Sequence, residues 1–134
     1  MAFVDESKAF ITQWQSDKIL VFDPDAGEVT DSIDMSEYVS FAQTDSAEQW
    51  PFAGSAVVHD SRLFVACQRL KSVATDWGTS YVPGDTSLIV VIDVNDHSAI
   101  TSIPLVGKNP VALDIFYNSL YVGCSGDPYD ASDG

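Results

Sequence analysis

Basic residues are scarce in this 134-residue chain, which has six Lys and Arg against twenty Asp and Glu and a formal net charge of −14. Proteins that bind nucleic acid depend on Lys and Arg contacts to phosphates. The negative charge therefore argues against DNA, RNA and anionic membranes as partners. The carboxylates suit cationic partners, divalent cations or a saline exterior, and they also serve solubility alone.

Membrane, targeting and catalytic signals are missing as well. No apolar run approaches the roughly 20 residues that cross a bilayer, and residues 1–6 lack the basic and apolar regions of a signal peptide. No nucleophile elbow, phosphate-binding loop or zinc motif occurs in the sequence. We therefore expect no membrane insertion and no cofactor, and we assign no catalytic residues.

Cysteine and histidine are each present only twice, and their spacing fits neither a redox centre nor a metal site. Cys67 and Cys124 occupy equivalent places in a repeat, which should hold them further apart than a disulfide permits. The sequence predicts two unpaired, mostly buried thiols. His59 and His97 are expected to be solvated or hydrogen-bonded locally. The acidic turns at 23–27 and 127–130 lack the ligand spacing of an EF-hand, so we assign no metal ligands.

Internal repetition is the main signal in the sequence. Three segments with an aromatic residue in third place, each preceded by an apolar stretch and a polar turn, lie at 8–12, 62–66 and 119–123. Between them, an aliphatic run that ends in Asp is followed by a turn and a further strand, at 18–33 and again at 88–103. No window has a sustained 3.6-residue period. The pattern predicts an all-β protein of antiparallel strands, four in residues 2–35, four in 55–105 and two in 110–124.

The string Ile103–Ala112, continued by Leu120-Tyr121-Val122, resembles the YVTN-type β-propeller repeat, as does the run Leu88–Asp93 with the strand after it. The resemblance implies four-stranded antiparallel blades, at about 2–35 and 55–105, followed by a half blade at 110–124. The sequence departs from the family in having Gln13, Cys67 and Cys124 where Asn is usual.

An incomplete propeller of this kind would leave the flanks of its end blades exposed and apolar. We therefore expect either a fragment of a longer chain or copies that self-associate through their exposed blade edges. The resemblance implies a secreted or surface bacterial protein, so we expect the full-length parent to be extracellular or periplasmic.

Long connections at 36–54, at 68–87 and from 125 onward are expected on one face of the blades, here called the long-loop face. Long loops often carry function. Aromatic side chains supply flat apolar area, and carboxylates accept hydrogen bonds from sugar hydroxyls or pair with cations. The alternative is that the aromatic residues only pack these loops onto the blades. The candidate ligand-binding residues are Trp14, Asp17, Trp50, Asp76, Trp77, Tyr81 and Asp127.

Three functions fit these features. The preferred one is a non-catalytic binding or scaffold module whose long-loop face contacts a small molecule, a carbohydrate or a protein. The second is part of a propeller enzyme, lactonase-like or cofactor-assisted, whose site needs further blades. The third is a self-assembling structural unit. The inner strands predicted at 56–58 and 111–113 are mostly apolar, which argues against convergent catalytic groups on the axis.

Overall fold

The computed structural model describes residues 1–40 and 50–127, and this part of the chain is all-β. It contains twelve strands and a 3-10 helix at Ser36–Tyr38. The strands are β1 (Ala2–Asp5), β2 (Lys8–Thr12), β3 (Lys18–Asp23), β4 (Glu28–Asp34), β5 (Ala53–His59), β6 (Arg62–Cys67), β7 (Leu70–Thr75), β8 (Gly78–Pro83), β9 (Leu88–Asp93), β10 (Ala99–Pro104), β11 (Pro110–Phe116) and β12 (Ser119–Cys124). The predicted all-β class is confirmed. Ten of the twelve strands lie where the sequence predicted them, and β7 and β8 were not predicted.

The described strands form two four-stranded antiparallel sheets and two hairpins. The first sheet has the order β1-β2-β3-β4, and the second has the order β5-β6-β9-β10. Strands β7 and β8 form an insertion hairpin between β6 and β9, and β11 pairs with β12. No helix in the described ranges has the length and hydropathy needed to cross a membrane.

The aspartates that end the aliphatic strands shape the turns after them. One carboxylate oxygen of Asp23 accepts hydrogen bonds from the backbone N–H groups of Asp25 and Ala26. Asp93 accepts one in the same way from Asn95, at 2.7 Å. Aspartate side chains favour turns because they replace a backbone acceptor in this manner. The acidic sequence at 23–27 is therefore a hydrogen-bonded hairpin turn, as predicted.

The prediction of a long loop at 68–87 is wrong, because β7 and β8 occupy most of that segment. Their register is regular, from Leu70 opposite Pro83 to Thr75 opposite Gly78. Most of the hairpin side chains are half-buried or exposed, so its strands mix polar and apolar residues and contain no aliphatic run. A strand without a buried face gives little periodic signal in the sequence.

The sheets pack face to face, since successive side chains of a strand point to opposite sides. Phe10 of the first sheet is fully buried in one core with Leu63 and Val65 of the second sheet. On its other side, the second sheet contributes Ala66 to a second core, which the β11–β12 hairpin covers with Leu113, among other residues. Truncation of a buried phenylalanine to alanine typically lowers the free energy of unfolding by about 3–5 kcal/mol. Phe10 is therefore a major contributor to the core between the first and second sheets.

The innermost strands of the three packed units lie side by side. Strands β1 and β11 both contact β5. The Thr12 hydroxyl donates to the Gly54 carbonyl at 2.8 Å, and the Leu113 backbone N–H donates to the Ser55 hydroxyl at 3.2 Å. The outermost strands β4 and β10 are almost entirely exposed. The backbones of the units therefore approach one another most closely at their inner strands.

The two cysteines are unpaired, as predicted, but only one of them is buried. Burial raises the pKa of the Cys67 thiol to about 12. Cys124 is exposed, so the prediction of a second buried thiol is wrong. Cys67 lies on β6, between two neighbouring strands and under the first sheet, whereas Cys124 ends β12, which pairs only with β11 in the described residues. Partial desolvation still raises the pKa of Cys124.

Candidate ligand-binding site

Four aromatic residues from three connecting segments meet at one end of the sheets. Phe52 is fully buried at the centre of the group. Its backbone has a φ of +53°, which is unfavourable for an aromatic residue and costs about 1–3 kcal/mol. Two backbone hydrogen bonds hold this conformation, from Gln68 to the Phe52 carbonyl and from Arg69 to the Pro51 carbonyl. We call Trp14, Trp50, Phe52 and Tyr81 the aromatic platform.

The rings of the platform contact one another mainly edge to face. Trp14 lies 5.0 Å from Phe52 and 5.2 Å from Tyr81 between ring centroids. Phe52 is 5.3 Å from Tyr81 and 5.8 Å from Trp50. Such pairs contribute about 0.5–1.5 kcal/mol each beyond their buried area. Three of the seven candidate residues, Trp14, Trp50 and Tyr81, are therefore brought together by Phe52.

Trp14 is held firmly although 42% of its surface remains exposed. Its indole Nε1 donates a hydrogen bond to the Gln68 side-chain carbonyl at 2.8 Å. Gln68 is itself buried, and its amide nitrogen donates to the Pro110 carbonyl at 3.3 Å. The Gln68 side chain thus links Trp14, on the loop after β2, to the first residue of β11.

Polar groups lie at the rim of the platform. The Gln15 side-chain amide donates to the Tyr81 hydroxyl at 2.9 Å, which ties the β2–β3 loop to the insertion hairpin. Asp17, in the same loop, is half-buried, and its backbone carbonyl accepts a hydrogen bond from the Met35 N–H at 2.6 Å. The Gln15 amide therefore lies beside the platform, and Asp17 belongs to the same loop.

The base of the insertion hairpin is fixed by the Arg69 guanidinium. It donates to the Thr86 carbonyl at 2.9 Å and to the Val39 carbonyl at 3.0 Å, and it lies 3.7 Å from the Asp85 carboxylate. The hydroxyl of Ser40 also donates to Asp85, at 2.8 Å. These bonds connect three separate segments, so the position of Tyr81 on the hairpin is well determined.

Two candidate residues lie away from the platform, at the tip of the insertion hairpin. Trp77 is 98% exposed there, beside the exposed Asp76. At about 3.3 Å per residue along a strand, Trp77 is roughly 13 Å from Tyr81. The structure does not bring Trp77 and Asp76 into the aromatic group.

Asp127 is placed against the flank of the insertion hairpin. It borders a cleft of about 320 Å³ whose other lining residues are Lys71, Val73, Thr75, Ser80 and Val82. Two predicted segments lie partly outside the described residues. They are residues 128–130 of the acidic turn predicted at 127–130 and residues 41–49 of the long connection predicted at 36–54.

The short turns at the opposite end of the sheets carry both histidines, and each forms a hydrogen bond to a residue of another sheet or hairpin, which the sequence did not predict. His97 Nδ1 lies 3.0 Å from Asp31 Oδ2, which joins the turn after β9 to β4. His59 Nε2 lies 2.8 Å from Asn118 Oδ1, which joins the second sheet to the β11–β12 turn. The Lys8 ammonium donates to the Val94 carbonyl at 3.2 Å. This end of the molecule is used for contacts between sheets.

Several acidic residues have an evident local role. The pKa of Asp5 is lowered by hydrogen bonds from Ser7, that of Asp34 by Ser36, and that of Asp96 by Ser98. Within residues 1–40 and 50–127, no group of three or more His, Cys, Asp or Glu side chains could hold a metal ion. Part of the negative charge therefore serves the turns of the fold.

Gln68 and Gln15 are hydrogen-bond partners of platform residues, and the sequence analysis did not identify them. Gln68 follows Phe64 by four residues, as Trp14 follows Phe10, so the two partners hold the same place in successive repeats. That equivalence was a usable signal. Gln15 has no comparable signal, because its contact depends on where the insertion hairpin places Tyr81.

Comparisons with known proteins add no family to this description. No family model matches the chain, and no curated protein matches its sequence.

Proposed function

We propose that this chain is a non-catalytic binding module, that its sheets are blades of a YVTN-type β-propeller, and that it holds its ligand on the aromatic platform. Two features support the propeller. Consecutive four-stranded antiparallel sheets pack face to face, and their innermost strands β1, β5 and β11 lie side by side. Outer strands that are exposed to solvent, as β4 and β10 are, fit blades arranged around an axis.

The observation that carries the binding role is the combination of exposure and restraint at Trp14. Its indole is 42% exposed, yet it is held by one hydrogen bond and two ring contacts. More than half of the Trp14 surface is buried against its neighbours, and the exposed 42% is available to a ligand. A side chain that is ordered before binding loses little conformational entropy when a ligand arrives, which favours affinity.

A carbohydrate is the ligand class that suits this platform best. One face of a pyranose ring carries only C–H groups and stacks on an indole, while its hydroxyl groups need hydrogen-bond partners. The side chains of Gln15 and Asp17 lie in the same loop as Trp14 and supply such partners. The chain's negative charge also disfavours phosphorylated or other anionic ligands.

A non-catalytic role is supported by where the perturbed aspartates lie. The described aspartates with a lowered pKa are Asp5, Asp31, Asp34 and Asp96, and each accepts a hydrogen bond from the backbone close to it in sequence. Catalytic acids more often have a pKa shifted by burial in a cleft. These aspartates stabilise turns and strand ends and do not line the platform.

The test is a calorimetric and tryptophan-fluorescence titration of the protein with uncharged oligosaccharides, namely cellotetraose, chitotetraose and mannotetraose. We expect at least one of them to bind, and we expect Trp14→Ala to weaken that binding at least about tenfold, or about 1.4 kcal/mol. Trp77→Ala is the matched control, since it removes an exposed tryptophan away from the platform and should leave affinity unchanged.

Trp14→Phe is a second variant in case Trp14→Ala fails to fold, because it keeps an aromatic ring beside Phe52 and Tyr81. A folded Trp14→Phe protein with reduced affinity supports the proposal. Unchanged affinity in both Trp14 variants, or no binding of any of the three sugars to the wild type, would refute it.

A further inference from the structure

The aromatic residue in each repeated segment becomes more exposed along the chain. Phe10 is fully buried, Phe64 is half-buried, and Tyr121 is 57% exposed. Each projects from its sheet toward the unit that follows. The second sheet covers Phe10, and the β11–β12 hairpin covers Phe64. In the described residues no later sheet covers Tyr121.

Tyr121 lies on the uncovered side of the β11–β12 hairpin, where it is paired with the exposed Asp114. Phe116 lies on the same side by strand alternation and is 60% exposed. Its ring contacts that of Tyr117 at 4.4 Å. Leu113 and Leu120, on the other side of the hairpin, pack against the second sheet. We call the side with Phe116 and Tyr121 the rear face.

A matching surface lies on the uncovered side of the first sheet. The strand registers place Phe3 opposite Ala9 and Ala9 opposite Phe22, so these residues form a row across three strands. Phe3 is 62% exposed, Phe22 is half-buried, and the small Ala9 between them is fully buried. We call this the front face. The alanine is covered completely, so the surface that this row presents to solvent is formed by the rings of Phe3 and Phe22.

We propose that the rear face of one copy docks on the front face of a second copy, with the Tyr121 ring against the row formed by Phe3 and Phe22. The molecule already makes this kind of contact internally, because Phe10 packs on the side of the second sheet that carries Leu63, the repeat equivalent of Ala9. Every copy carries both halves of the contact, one at each flank. The interface is therefore heterologous, joining two different surfaces, and copies associate head to tail.

Charge sets the conditions under which this association occurs. Each copy has a formal charge of −14, so two copies repel one another in dilute buffer. Salt screens that repulsion, while the contact between aromatic rings is apolar and does not depend on it. The association should therefore strengthen as salt concentration rises, which is opposite to the behaviour of an interface held by ion pairs.

The experiment uses analytical ultracentrifugation across a concentration series at low and high salt. The variants are Phe3→Glu on the front face and Tyr121→Glu on the rear face. Ile100→Glu is the matched control, because Ile100 is 49% exposed but lies on β10, away from both faces. We expect the wild type and the control to associate, and each face variant to remain monomeric.

Mixing the two face variants tests whether the front face of one copy binds the rear face of another. Phe3→Glu keeps an intact rear face and Tyr121→Glu an intact front face, so an equimolar mixture should form a dimer that neither variant forms alone. Circular dichroism checks that each variant is folded, and Tyr121→Ser replaces Tyr121→Glu if the latter unfolds.

Three results would overturn the proposal: a monomeric wild type at every concentration, a mixture that stays monomeric, or a face variant that associates like the wild type. A monomeric wild type would indicate that another segment or another protein covers these faces. Sugar binding on the aromatic platform is measured separately, so failure of either proposal leaves the other standing.

Discussion

Trp14 and Gln68 hold the same position in successive repeats, four residues beyond Phe10 and Phe64, and their side chains are joined by a hydrogen bond of 2.8 Å. The contact crosses from the first sheet to the second at the end of the molecule where the aromatic platform lies. Its energetic importance should exceed that of an ordinary surface bond, because Gln68 is buried and also donates to Pro110.

Gln68→Leu should lower the free energy of unfolding by about 1–2 kcal/mol, since it removes two hydrogen bonds and leaves the Pro110 carbonyl without a donor. Urea denaturation measures this change, and the steady-state anisotropy of tryptophan fluorescence should fall as Trp14 gains freedom. Gln15→Leu is the control, because it removes only the bond to Tyr81 at an exposed site and should cost less than about 0.5 kcal/mol. Equal effects of the two substitutions would contradict the assignment.

Gly84→Ala should destabilise the protein by about 1–3 kcal/mol, as overpacking does. A Cβ atom there would lie 2.6 Å from the Ser40 hydroxyl and 3.1 Å from the Arg69 carbonyl, at the base of the insertion hairpin. Gly54→Ala is the matched control, since the nearest atom to its Cβ would be 3.7 Å away. Thermal unfolding compares the two variants, and a Gly84→Ala protein as stable as Gly54→Ala would show that the base can relax.

Only one of the two cysteines should react in the native protein. The thiolate is the reactive form, and with a pKa of about 12 the buried Cys67 has almost none at pH 8. Cys124 is exposed and should be alkylated first. Mass spectrometry should find one label per native chain, none in Cys124→Ser, and two after denaturation of the wild type. Rapid labelling of Cys67 would mean that the first and second sheets separate readily.

The Asp31–His97 pair should support stability above acidic pH. The backbone of Ser32 and the His97 ring lower the folded-state pKa of Asp31 below 3.8. A depressed carboxylate pKa adds stability above the unfolded value, and this stability is lost as the pH falls through the folded value. Asp31→Asn should therefore lower the melting temperature at pH 7, and the difference from wild type should vanish in strong acid.

Asp34→Asn is the control for that measurement. Asp34 lies on the same strand, and its pKa is also lowered, but its side-chain hydrogen bond is to nearby Ser36 and does not reach the second sheet. Hydrogen exchange at the β9–β10 turn should increase in Asp31→Asn only. Similar exchange in both variants would show that the histidine contact does not connect the sheets.

The strands were predictable where an aliphatic run ended in an aspartate, because that aspartate marks both the end of the strand and the turn after it. Asp23 and Asp93 end aliphatic runs and accept backbone hydrogen bonds in the next turn, so sequence and local structure agree there. The insertion hairpin was not predictable, because its anchor is the tertiary bonding of Arg69 to Val39 and Thr86. Local patterns carry no information about such distant contacts.

The site was predictable only at the level of which segments meet. Aromatic residues in the connections between strands indicated a shared face, and Trp14, Trp50 and Tyr81 do come together around Phe52. Trp77 lies apart because an extended strand separates the tip of a hairpin from its base. That separation became visible only once the segment at 68–87 was known to form strands.

The insertion hairpin also bears on how the second sheet forms. Twenty residues, 68–87, separate the paired positions Cys67 and Leu88. If β7 and β8 pair first, six residues remain in the loop, and the entropic cost of closing it falls by about 1 kcal/mol. Gly78→Ala, which strains the φ of +122° in the hairpin turn, should then slow refolding more than it speeds unfolding. The hairpin inserted between β6 and β9 would thereby promote the pairing of these two strands.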